Sequence, residues 1–245
     1  MSDLTPAPDW LTSLPIAHRA YHDSAKGRAE NSISAFLAAV DAGFAIECDV
    51  QMSASGEPVV FHDPELKRMT GIEGLVRETS PVDLAKLRLL NTADGILPLR
   101  NHLSLVNDAV PVIVELKGVE GEDDGFMEGV ADALSGYDGR AAVMSFDHWI
   151  CAQFSSSMPN VPRGLTAAGG PEKSAKHERA MHHYDLQFVS YHVDALPNPF
   201  VAKMREAGLP VITWTVRTAE QRERTFRFAN QMTFEGFDPR KTDGG

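Results

Sequence analysis

Short apolar runs that end in charged residues set the rhythm of this chain. Pro15-Ile16-Ala17 leads into His18-Arg19, Phe44-Ala45-Ile46 into Glu47-Cys48-Asp49, Pro58-Val59-Val60-Phe61 into His62-Asp63, and Val112-Ile113-Val114 into Glu115-Leu116-Lys117. Runs of this length read as buried strands. The pattern predicts strands at 15–19, 44–50, 111–116, 141–145, 161–165, 187–191, 210–215 and 231–234. Amphipathic stretches predict helices at 31–42, 100–109, 124–136, 147–157, 172–183, 198–207 and 218–229. Asn31 is placed as a helix cap and Gly43 as a helix stop. Strands alternating with helices signal βα units and a parallel sheet. Eight strands with intervening helices predict a TIM (βα)8 barrel.

The rhythm breaks between Met52 and Leu99. Ala54-Ser55-Gly56-Glu57 reads as a hairpin turn, followed by a strand ending at His62 and a loop-rich stretch with Gly71, Gly74 and Gly95. This is expected to be an insertion after the second strand, at about 52–99, lying over the barrel mouth. Long insertions of that kind tend to carry function. Nothing else reads as a linker, so residues 1–245 are expected to form one domain.

Composition narrows the picture. A chain of 245 residues, 43% of them hydrophobic, supports one sizeable core, and a barrel typically uses about 250 residues. The formal charge of -11 argues against nucleic acid as a partner and against electrostatic docking on an anionic membrane. A small-molecule substrate remains the expected partner. Two cysteines, Cys48 and Cys151, are too few for a disulfide framework and point to a reducing compartment. The stretch from Met1 to Leu14, with Asp3 and Asp9, has neither the basic nor the apolar region of a signal peptide. No apolar run approaches the roughly 20 residues of a membrane span. A cytoplasmic protein without stable membrane insertion is expected.

The strand ends carry the candidate chemistry, because barrel active sites lie at the carboxyl ends of strands. Glu47 and Asp49 are two apart on one strand and so share a face, with Cys48 turned the other way. Two buried like charges repel unless something positive joins them. A divalent cation does this, and oxygen donors favour Mg²⁺, Mn²⁺ or Ca²⁺. Glu115 offers a third oxygen. Ordinary salt bridges at the barrel mouth would explain the same acids. His18 and His62 are placed to move protons, although any one of nine histidines more often serves packing. His22, close to His18 and beside Asp23, is harder to set aside than His148, His177, His182, His183 or His192. Arg19 offers a bidentate fork for phosphate, and Lys117 shares a face with Glu115. The competing roles are ion pairs, with Glu30 for Arg19 and with a neighbouring acid for Lys117. Trp214, in Val211-Ile212-Thr213-Trp214-Thr215-Val216, would cover an apolar face of a ligand or simply pack.

In order along the chain, Ala17-His18-Arg19, Glu30-Asn31-Ser32, Glu47-Cys48-Asp49, Val60-Phe61-His62-Asp63 and Glu115-Leu116-Lys117 resemble the glycerophosphodiester phosphodiesterase family, in its bacterial cytoplasmic form. The likeness extends to Leu66-Lys67-Arg68-Met69-Thr70-Gly71 and to Trp214-Thr215-Val216. The resemblance implies a TIM barrel with a small insertion after the second strand. It implies metal-dependent hydrolysis of glycerophosphodiesters to glycerol 3-phosphate and an alcohol. By the same resemblance, His18 and His62 are the general base and acid pair; apart from the resemblance, His62 is expected to be the acid. Glu47, Asp49 and Glu115 bind the divalent metal, Arg19 and Lys117 hold the phosphate, and Glu30 and Asn31 shape the surrounding network. The chain departs from the family pattern in three places. Ala20 stands where a glycine usually follows the His-Arg pair. Tyr21-His22-Asp23 opens an extended stretch before Glu30. Met232-Thr233-Phe234-Glu235-Gly236-Phe237 replaces the usual isoleucine-threonine-aspartate signature. Two other readings compete. A lyso-lipid phospholipase of similar fold would need an apolar apron, for which the insertion offers only Ile72, Leu75 and Val76. A non-catalytic binding protein for phosphorylated metabolites would not need two histidines and three acids.

Overall fold

The computed structural model describes residues 4–241; Asp3, counted in the amino-terminal reading, lies outside the described residues. The strands are β1 (Ile16–Ala17), β2 (Ala45–Met52), β3 (Pro58–Val60), β4 (Val112–Leu116), β5 (Ala141–Ser145), β6 (Arg163–Ala167), β7 (Phe188–His192), β8 (Val211–Val216) and β9 (Gln231–Phe234). The helices are α1 (Ile33–Ala42), α2 (Lys67–Thr70), α3 (Pro81–Leu84), α4 (Leu99–Val106), α5 (Phe126–Ser135), α6 (His148–Cys151), α7 (Phe154–Ser157), α8 (Ser174–His183), α9 (Pro199–Glu206) and α10 (Ala219–Phe228). With β3 set aside as an antiparallel addition, the remaining strands and the helices between them form a TIM (βα)8 barrel, as expected. Strands such as β2 and β4 are buried on both faces, which is why they read as near-continuous apolar runs. Among the described residues no helix is long and apolar enough to cross a membrane.

Backbone contacts divide the chain into two compact units, Met1–His18 with Ala142–Gly245, and Arg19–Ala141. In the first, β1, β9, β8, β7, β6 and β5 pair side by side, all parallel. In the second, β2 is central. It pairs in parallel with β4 and antiparallel with β3.

The insertion begins where expected and carries β3, α2 and α3. Its turn is made by Gly56 at φ +83, with Ser53 N–H donating to the Glu57 carbonyl at 3.0 Å. Its apolar residues mostly turn inward. Val59, Phe61, Leu66, Met69, Val76, Leu84, Leu89 and Ile96 form a core with Ala29, while Ile72 and Val82 stay exposed.

Several expected boundaries move for local reasons. The first strand stops at Ala17 because Arg19 and Ala20 turn into the left-handed region. Helix α1 is capped by Ser32, whose Oγ accepts from Ala35 N–H. Asn31, expected as the cap, is itself left-handed at φ +59 and sends its side chain elsewhere. The helix expected at 147–157 is two short ones, α6 and α7, parted at Ala152 and Gln153; a serine-rich end offers little helix propensity. Cys48 and Cys151 are free and buried.

Candidate active site

The register of β2 and β4 sets Asp49 directly beside Glu115. Glu47 lies two residues earlier on the same face, and all three acids are buried. They offer ligand oxygens that all lie within 4.8 Å of one another. The hairpin register pairs Val50 with Val60, Phe61 N–H donates to the Asp49 carbonyl at 2.9 Å, and His62 follows at once. The Gln51 amide then donates to the His62 carbonyl at 2.7 Å, which fixes the backbone that carries the imidazole.

The loop after β1 wraps back onto β2. Arg19 and Ala20 take φ values of +51 and +63. This turn aims Arg19 N–H at Glu47 Oε2 (2.9 Å) and Ala20 N–H at the Glu47 carbonyl (2.9 Å). Asn31 N–H donates to the Arg19 carbonyl (2.9 Å), and its amide Nδ2 donates to Asp49 Oδ2 (2.9 Å). The Arg19 guanidinium reaches Glu30 through Nη1 (2.9 Å) and approaches Asp49 through Nε (3.5 Å). Lys117 Nζ meets Asp49 at 3.2 Å and bonds Glu115. The ion-pair roles weighed for Arg19 and Lys117 are therefore both realised. They do not exclude phosphate binding, since each cation faces the acid cluster.

The electrostatics follow from this packing. Burial, with Asp49 and Glu115 alongside, pushes the Glu47 carboxyl well above the usual range. Burial works the same way on Asp49, but Lys117, His62 and Arg19 hold it below its usual value. Burial opposes the charge on Lys117, yet Asp49 and Glu115 more than offset this and raise its pKa. Burial lowers the pKa of His62, with Asp49 acting in the opposite direction. A cluster in which burial, with two neighbouring carboxylates, drives one carboxyl toward its neutral form is short of positive charge. Three converging carboxylates in a buried site fit a hard divalent cation.

The second unit thus gathers Arg19, Glu30, Asn31, Glu47, Asp49, His62, Glu115 and Lys117. His18 and Trp214 belong to the first unit. There, His18 Nδ1 lies 2.7 Å from Glu235 Oε2, and Arg217 Nη2 donates to that same oxygen at 2.8 Å. Trp214 Nε1 donates to the Ser190 carbonyl at 3.3 Å. Its ring stands perpendicular to Phe146 at 5.3 Å and to His192 at 4.8 Å.

Sequence reasoning missed four residues that contact the candidate site residues. Asp63 Oδ1 lies 2.6 Å from His62 Nδ1, Arg68 bridges Asp63 and Glu30, and Glu235 with Arg217 backs His18. Asp63 was visible as the partner in the His62-Asp63 pair. Glu235 was visible as an acid just past the last strand, in the segment that departs from the family signature. His18 and His62 therefore each engage a carboxylate through Nδ1.

Comparison with known proteins identifies the family. The model of the glycerophosphoryl diester phosphodiesterase family matches residues 18–237. A glycerophosphodiester phosphodiesterase of Caldanaerobacter subterraneus subsp. tengcongensis is 26% identical over 227 residues, spanning 89% of this chain and 91% of that protein. The structure of an Oleispira antarctica phosphodiesterase in complex with the product sn-glycerol-3-phosphate superposes with a TM-score of 0.81 at 22% identity, covering 91% of this chain and 94% of that one. A Thermotoga maritima glycerophosphodiester phosphodiesterase structure gives a TM-score of 0.74 at 22% identity, covering 90% and 94%. With the strand-end acids, the His-Arg and His-Asp pairs and a family match over most of its length, the chain belongs to the glycerophosphoryl diester phosphodiesterase family, a family of phosphoric diester hydrolases.

Proposed function

We propose that this protein hydrolyses glycerophosphodiesters to glycerol 3-phosphate and an alcohol, with a divalent metal held by Glu47, Asp49 and Glu115. The observation that carries the reading is the buried acid triad flanked by Arg19, Lys117 and His62. The glycerol 3-phosphate bound by the Oleispira relative supports the substrate class. The all-oxygen donor set favours Mg²⁺, Mn²⁺ or Ca²⁺, and such an ion, when bound, would act as a Lewis acid toward a phosphoryl oxygen.

The chain's own groups supply the rest. Arg19 presents its fork to the non-bridging oxygens, and Lys117 neutralises charge growing there. The His62 imidazolium gives its Nε2 proton to the departing alkoxide, while the Asp63 carboxylate holds the Nδ1–H that remains on the ring as it becomes neutral. His18, backed by Glu235, takes the proton of the nucleophile. Trp214 offers an aromatic wall for the apolar part of the substrate. The apolar apron that a lyso-lipid phospholipase needs finds little support, since Val76 is buried in the insertion's own core.

The test compares His18→Ala and His62→Ala on glycerophosphocholine and on bis(4-nitrophenyl) phosphate. A positioned acid or base contributes about 10²–10⁴-fold, so both variants should fall by that order on glycerophosphocholine. A nitrophenolate leaves without a proton. His62→Ala should therefore recover most of its deficit on the aryl diester, and His18→Ala should not. Equal deficits for both variants on both substrates would overturn the division of roles.

A further inference from the structure

Arg68 stands outside every role assigned above. It lies in α2, on the insertion. Leu66 and Met69 on either side are buried in the insertion's core, and the helix ends at Gly71 with φ +74. A guanidinium has five N–H donors, and all are engaged. Nε donates to Asp63 Oδ2 (2.5 Å) and Nη2 to Asp63 Oδ1 (3.0 Å). Nη2 also donates to Glu30 Oε1 (2.7 Å), Nη1 to Glu30 Oε2 (3.0 Å), and Nη1 to Met69 Sδ (3.1 Å).

The two carboxylates it joins are not equivalent. Asp63 holds the imidazole of His62, whereas Glu30 holds the fork of Arg19. Charges therefore alternate along one chain of contacts, Arg19–Glu30–Arg68–Asp63–His62, that runs from the phosphate clamp to the proton donor. We propose that Arg68 is a positioning residue that locks the His62 imidazole and the Arg19 guanidinium into one rigid unit, so that substrate binding and proton transfer share a single geometry. This rests on the functional reading above. A planar fork spans two carboxylates where a lysine ammonium would not. The arginine side chain is half-exposed, at 47%, so solvent partly screens its ion pairs, and the kinetic and NMR readouts separate orientation from stability. The consequence for the fold is that the insertion completes the site from outside the strand ends.

The test is a double-mutant cycle on glycerophosphocholine hydrolysis, using wild type, Arg68→Met, Arg68→Lys, His62→Ala and the His62→Ala/Arg68→Met double variant. Lys67→Met, which removes only the exposed Lys67–Glu73 pair, is the control. Groups that orient a first ligand or catalytic side chain typically matter by about 10–100-fold. Arg68→Met should lose kcat by about that factor and raise KM, and Arg68→Lys should rescue little. Lys67→Met should match wild type. In the His62→Ala background the kcat penalty of Arg68→Met should vanish, because it acts through His62, while the rise in KM should persist through Arg19. Wild-type kinetics in Arg68→Met, or a kcat penalty that simply adds to that of His62→Ala, would overturn the proposal. Imidazole ¹⁵N NMR provides a readout that does not need turnover. In its neutral form, at pH values where the ring has lost its Nε2 proton, His62 should be held as the Nδ1–H tautomer in wild type and become a mixture in Arg68→Met, and an unchanged tautomer would overturn the proposal as well. A wild-type protein inactive on every glycerophosphodiester would defeat the functional reading instead, and the NMR comparison would still decide the role of Arg68.

Discussion

The loop after β1 stores conformational strain that serves the site. Arg19 at φ +51 and Ala20 at φ +63 stand in a region that costs an ordinary L-residue roughly 1–2 kcal/mol. In return, two successive backbone N–H groups close onto Glu47, one on its carboxylate and one on its carbonyl. Ala20 is also buried, so its methyl is tolerated sterically while its backbone is not relaxed. Ala20→Gly should therefore stabilise the protein by about 1 kcal/mol, read as a higher denaturation midpoint with catalysis retained. A lower midpoint would show that packing of the methyl outweighs the strain. This turn marks the limit of what single residues disclose in sequence. The period-two spacing of Glu47 and Asp49 was enough to place both on one face. The use of Arg19 through its main-chain N–H was not legible, because it depends on a backbone conformation that the residue type disfavours. The same is true of Asn31. Its type suggested a helix cap, yet its amide serves Asp49 and the neighbouring Ser32 caps α1.

At the scale of elements, the β2–β3 hairpin explains why a histidine in an insertion belongs to the acid cluster. Its register carries Phe61 opposite Asp49 and delivers His62 one residue on. The strand and its turn were readable from Gly56 and the apolar run 58–61, and so was the position of the insertion. The bridge that Arg68 makes from nearby Asp63 to Glu30 was not, because Glu30 lies 38 residues away and no local pattern encodes that distance. Helix α4 adds a different device. His102 is buried against Phe36 of α1, ring to ring at 4.6 Å, and burial holds its pKa down at about 4. The unfolded chain takes up a proton here below about pH 6.5, whereas the folded chain does so only near pH 4. Stability should therefore fall as pH drops through this window, by at most about 1.4 kcal/mol per pH unit from this group. His102→Phe should flatten the profile of denaturation midpoints between pH 7 and pH 4.5 relative to wild type. Parallel profiles would show that His102 does not govern this dependence.

For the molecule as a whole, the alternation of apolar runs and amphipathic stretches was sufficient to reach the TIM barrel class, because parallel strands buried on both faces leave a clear mark in sequence. The chain's ends were harder to read. Glu235, just past β9, meets His18, just past β1, across 217 positions of sequence. The segment that carries Glu235 had registered only as a departure from the family signature. Such closure comes from parallel pairing of β1 with β9, which no local periodicity announces. The proposed function has the buried acid triad hold a divalent cation on which glycerophosphodiester hydrolysis depends. The most direct measurement titrates Mg²⁺, Mn²⁺ or Ca²⁺ into EDTA-treated wild type and into Glu47→Gln, following both calorimetric binding and glycerol 3-phosphate released from glycerophosphocholine. Wild type should be inactive after EDTA and regain turnover in step with metal binding, while Glu47→Gln should bind weakly and stay inactive, the lost Lewis-acid contribution being worth several kcal/mol. Full turnover in EDTA would show that hydrolysis needs no divalent ion, and equal metal binding and recovery in Glu47→Gln would show that the triad does not hold one.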